Sequence, residues 1–165
     1  MLFRSPSDGF LSGLAPETGR LKFLDLDAKV KVTPDRFELT GSGDFPCMER
    51  LTADIVVQKE PFPLSNERRN HWTLDIRGKA IDLTEARDKV LRLFGDDEDV
   101  RYVCDIVRGG RATSGRYEFQ GFAEDFSRLE SMTITAMTDD VEVMIPDIDL
   151  PLHQASGPVV IHQAR

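Results

Sequence analysis

The chain has 165 residues, 40% hydrophobic and 30% charged, with a net charge of −8 at pH 7. That charge excludes nonspecific binding to nucleic acid, which rewards cations with counterion release, and no apolar run approaches the ~20 residues that cross a bilayer. One cytoplasmic domain with a single core is expected: a chain of this size buries roughly 70% of its unfolded surface, and the N-terminal residues lack the apolar stretch of a signal peptide.

Period-two alternation of apolar and polar residues dominates, and it predicts half-buried strands over 22–32, 36–40, 51–58 and 72–79. A helix is predicted over about 84–94, with Asp82 or Thr84 as N-cap, Ala86, Val90, Leu91 and Phe94 as its apolar stripe and Gly95 as its stop. The acidic run Asp96-Asp97-Glu98-Asp99 then falls at the negative end of that helix, where it reads as a solvated turn. Beyond it, 99–107 alternates and predicts a strand, with Cys104 in phase with Val100, Tyr102 and Ile106 as a core thiol. The stretch 107–115, rich in Gly and Arg, reads as a projecting hairpin loop carrying Arg108 and Arg111. Further strands are predicted over 116–122, 132–137, 141–145 and 158–162, and the proline-bracketed tail 146–152 as an edge strand or arm. Many short strands with one capping helix point to a mainly β, antiparallel barrel or sandwich.

The chain also echoes itself about eighty residues apart. Residues 36–45 and 116–126 share an Arg-aromatic-Glu-apolar opening, and seven of twenty-one positions are identical between 36–56 and 116–137. The echo predicts internal duplication, with pseudo-repeats at about 20–80 and 99–165 around the helix. Gly41 and Gly121, at the same offset in each copy, are read as bulges or bends at sheet corners.

This duplication supplies the candidate site. Within each copy Arg and Glu are two residues apart and share one sheet face, so Arg36, Glu38, Arg116 and Glu118 form either a solvated ladder or a charged cluster for a small polar ligand. Trp72, the only tryptophan, follows Arg68-Arg69-Asn70-His71 and completes the ligand-binding candidates as a basic-aromatic contact. The single Arg108-Gly109-Gly110 resembles an RNA-binding tripeptide, but a hairpin loop explains it better. Cys47 could be a nucleophile only with His71 beside it as base, and His153 and His162 lack metal-ligand spacing. No cofactor and no metal is expected.

The passage from Tyr102-Val103-Cys104-Asp105 through Gly109-Gly110 to Tyr117-Glu118-Phe119-Gln120-Gly121-Phe122 resembles the β-domain appended to bacterial oxidoreductases of the glucose-methanol-choline type, without a flavin-binding segment. The layout from Trp72 through the predicted helix to Met137 resembles a phage tail-tube protomer, which implies ring assembly. The combined expectation is a non-catalytic β-barrel-like binding or assembly module, whose partners are further copies of itself, another protein or a small polar or apolar ligand. A lipocalin-like ligand-carrying barrel and a Cys-dependent hydrolase are the alternatives.

Overall fold

The computed structural model describes residues 2–5, 9–11, 21–61, 68–125, 128, 130–145, 148 and 150–162. Among these residues nine strands form one antiparallel sheet: β1 (Leu2–Ser5), β2 (Gly9–Leu11), β3 (Leu21–Thr33), β4 (Arg36–Phe45), β5 (Met48–Pro61), β6 (Arg68–Asp82), β7 (Val107–Phe122), β8 (Met132–Ile145) and β9 (Leu150–Ile161). From β3 to β9 it is an unbroken meander, with β1 and β2 both paired to β3, and β9 ends the sheet without closing it. Two helices, α1 (Leu83–Phe94) and α2 (Glu98–Ile106), separate β6 from β7.

The alternation read from sequence becomes two faces of opposite chemistry. Cross-strand partners share a face, so the register aligns Val30, Leu39, Ile55, Leu74, Phe119 and Met132 in one row. Two residues along, Ala28, Gly41, Ala53, Ile76, Tyr117, Ile134 and Ile161 form the next. The rows between them carry Lys, Arg, Asp, Glu and Thr and point the other way. Among the described residues no second layer covers most of the apolar face: apart from the helices and a short 3-10 turn, the main contacts of each strand are with its sheet neighbours. Phe119, Met132 and Ala28 are buried, whereas Phe37, Leu39, Ile55, Trp72 and Leu74 are half-buried and Val32 is 70% exposed. Burial pushes the Tyr117 hydroxyl up to about 12, because the phenolate is the form that loses most on leaving water.

The helices cap one end of that face. Asp82 N-caps α1 by accepting from the Glu85 amide at 2.9 Å, a contact worth about 1 kcal/mol. Its own amide donates to the Cys47 carbonyl at 2.8 Å. Arg87 donates to the Cys104 carbonyl at 2.8 Å and so ties α1 to α2. Beneath them Ala112, Thr138, Val141 and Cys47 are buried, as is Cys104 of α2 itself, and burial raises the pKa of the Cys104 thiol. The Gly95 position admits no side chain, since a Cβ there would collide with the Leu91 carbonyl.

Several expectations are corrected. Residues 98–106 are helical, because Val100, Val103, Cys104 and Val107 satisfy a period of 3.6 as well as Val100, Tyr102 and Cys104 satisfy a period of two. The acidic run therefore precedes a helix: Asp97 accepts from the Val100 amide at 3.2 Å as a cap, and Glu98 meets the positive end of the α2 dipole. The 107–115 stretch is the first half of a sixteen-residue strand, not a projecting loop. Its glycines let the backbone approach α1 and β8, and the ladder shifts register three times there. Asp140, at φ 79, sits in a register shift that lets 132–137 and 141–145 run on as one strand. No register shift occurs at Gly41 or Gly121. Gly41 instead allows close approach, its Cβ position lying 3.1 Å from the Asp27 carbonyl. Residues 146, 147 and 149 of the predicted tail lie outside the described residues; 150–152 open the terminal strand β9.

The two copies of the echo fall on β4–β5 and β7–β8, but they are not halves about one axis. In an antiparallel meander β4 and β7, three strands apart, run in opposite directions. Turning β7 onto β4 with the same face forward places β8 on the wrong side, so no rotation matches both strand order and faces. Upstream, 21–24 lie in a strand and their counterparts 100–103 in α2.

Candidate functional site

The polar face carries its charges in bands. One row holds Asp54, Asp75 and Glu118 directly opposite one another, and the next holds Thr52, Arg77, Arg116, Thr135 and Val160. Like charges across a ladder repel, and the basic row offsets that repulsion. Arg116 donates to both oxygens of Asp75 at 3.0 and 2.7 Å, and Arg77 does the same at 3.0 and 2.7 Å. Arg116 also lies 2.9 Å from Glu118. Hydrogen bonds from Arg116 first and Arg77 second hold the Asp75 carboxyl well below the usual carboxylate range and raise both arginines.

This gives a pH dependence of defined sign. Asp75 is only 22% exposed and its folded pKa is depressed, so its contribution is complete above the unfolded value of about 3.9 and fades as pH falls below it. Asp75→Asn is expected to lower stability at pH 7 by about 1 kcal/mol. Urea midpoints at pH 7 and pH 3 check it: the gap from wild type should narrow at pH 3, and a gap that widens contradicts the assignment.

Of the sequence candidates, Arg116 and Glu118 belong to this cluster. Arg36 and Glu38 share the same face but stand about 16–24 Å away by strand spacing and register. There Arg36 bonds Glu38 at 2.6 Å and Gln58 at 2.9 Å, with Lys31 3.7 Å from Glu38. The bond from Arg36 lowers the Glu38 pKa. The four groups thus form two local ladders and not one centre. Trp72 pairs with Gly121 on the apolar face, opposite the arginines. Its basic neighbours are taken up locally: Arg68 by Asp35 at 3.0 Å, Arg69 by Glu124 at 2.9 Å, and His71 edge-on against the Phe122 ring at 5.5 Å. Cys47 lies beside the Glu49–Lys79 pair, and His71 is eight residues further along β6, a separation of about 25 Å that leaves the thiol without its base. His153 faces Glu142 at 3.6 Å.

Register also assembles a group that sequence reasoning missed. A groove of about 570 Å3 opens on the polar face, with Arg50, Arg77, Lys79 and Arg116 on one side and Met137, Pro158 and Val160 on the other. Its hydroxyl floor comes from Thr52, Ser114 and Thr135. Arg50 reaches it from a register shift between Glu49 and Thr52, with φ +46 and its amide bonded to Asp44 at 3.0 Å. A bulge of this kind re-aims a side chain. Only the positive φ at Arg50 and the count of basic residues on β5–β7 bear on this groove, and neither shows in one-dimensional alternation. No helix among the described residues is long and apolar enough to cross a membrane. No protein-family model, curated protein or solved structure matches this chain.

Proposed function

We propose that the protein is an assembly module whose copies join so as to bury the open apolar sheet face. The observation that carries this reading is an apolar sheet face that, among the described residues, no second layer covers. A sheet with one apolar face needs a partner layer to remove it from water, and here rows of Val, Leu, Ile, Phe and Trp are only half-buried. A second copy of the chain presents the same apolar face and so supplies that partner layer. The edge favours it too: among the described residues β9 pairs only with β8, and it carries Leu150, Leu152 and Val160 exposed. Ring assembly of the kind implied by the resemblance to tail-tube protomers is one form such joining takes.

Sedimentation velocity on the full chain at low salt tests it. Wild type is expected to sediment as an oligomer and Val32→Asp, which alters a side chain already 70% exposed, as a folded monomer. A monomeric wild type overturns the proposal, as does an oligomer indifferent to the Asp.

A further inference from the structure

We infer that the groove on the polar face binds an amphiphilic anion, a carboxylate or phosphate head on a short alkyl chain. The chain carries a net charge of −8, yet every ionisable side chain lining the groove is a cation: Arg50, Arg77, Lys79 and Arg116. Two of these are oriented by Asp75, which stands behind them and neutralises part of their charge. The other two are available. Among the described residues neither Arg50 nor Lys79 has a side-chain ion-pair partner. Arg50 moreover holds its place at φ +46 in the register shift between Glu49 and Thr52, an irregularity that re-aims a side chain.

The opposite wall explains the alkyl chain. Met137 and Val160 are 47% and 55% exposed on the otherwise polar face, and with Pro158 they border the same groove. A cationic wall facing an apolar one selects a ligand with both characters, and about 570 Å3 lies within the range of small-molecule sites. Fixed guanidinium forks recognise carboxylate and phosphate oxygens alike, so the head group is separated by experiment. The inference stands on the groove of a single copy and does not depend on assembly.

Calorimetric titration of the full chain with decanoate, decyl phosphate, inorganic phosphate and decanol, below micellar concentrations, tests it. Decanoate or decyl phosphate is expected to bind, the tighter of the two identifying the head, with inorganic phosphate at least tenfold weaker and decanol without detectable heat. Arg50→Gln with Lys79→Gln should weaken the alkyl anion tenfold or more, Val160→Ser should weaken it severalfold without affecting inorganic phosphate, and Asp75→Asn, which releases Arg77 and leaves Arg116 paired with Glu118 alone, should tighten it severalfold. All of these groove positions reach solvent, so circular dichroism is expected to show intact folds. Decanol binding as well as decanoate, absence of binding by either alkyl anion, or indifference of that binding to the double variant each overturns the inference.

Discussion

Phe119→Ala is expected to lower the unfolding free energy by about 3–5 kcal/mol, the range for truncating a buried aromatic. Phe119 is 2% exposed and centred in the apolar row, flanked across the ladder by Leu74 and the buried Met132. Its ring edge lies 3.1 Å from where a Cβ of Gly121 would stand, so it also covers the backbone beside Trp72. Few apolar side chains on this face are fully buried, and the neighbours cannot collapse into the void because the pleat holds them at fixed spacing. Val32→Ala, on the same face but 70% exposed, is the control and should cost less than about 0.5 kcal/mol. Guanidinium unfolding monitored by Trp72 fluorescence reads both. Equal losses at the two positions would show that burial does not set the core.

Gly110→Ala is the second large effect, with an expected loss of about 3 kcal/mol or more from strain and a broken ladder. Gly110 has φ +104, and a Cβ added there would collide with the Asp140 carbonyl and lie 2.7 Å from the Val141 Cα. Those are backbone atoms of β8 and cannot rotate away. Val141 is 1% exposed, so moving it disturbs the best-packed part of the molecule. The neighbouring Gly109 is confined differently, its Cβ position lying 2.7 Å from the Thr84 hydroxyl at the start of α1. This close approach accounts for the glycines of the Arg108-Gly109-Gly110 tripeptide without an RNA partner. Gly157→Ala has an open site despite φ +137 and should lose only the backbone strain of about 1–2 kcal/mol. Thermal melts of the two variants check the difference, and Gly110→Ala melting at or above Gly157→Ala would refute the steric account.

Where local rules agreed with the tertiary environment, the elements were legible. Strands β3 to β6 contain the predicted alternating segments, and α1 begins at the Asp82 cap and ends before Gly95. Where one segment met two rules, the tertiary contacts decided. Residues 98–106 fit both periods, and burial of Cys104 on the inner face of α2 with Asp97 as cap selected the helix. Gly109 and Gly110 read as a loop from composition, yet they serve a strand because α1 and β8 press against that backbone.

The candidate site shows the same limit. Residue spacing correctly put Arg116 with Glu118 and Arg36 with Glu38 on one polar face, since side chains alternate with period two whatever the strand order. It could not tell that the two pairs stand far apart, or that Asp75 would join Arg116 to Arg77. The sequence by itself determined the mainly β class, the polarity of each sheet face and the first helix, because these follow from the local period of side chains and from end-capping chemistry. Tertiary structure alone decided the strand order, the second helix, the bulge that aims Arg50 and the groove shared by β5 to β9. Register between strands is a long-range choice, and it sets which cations meet.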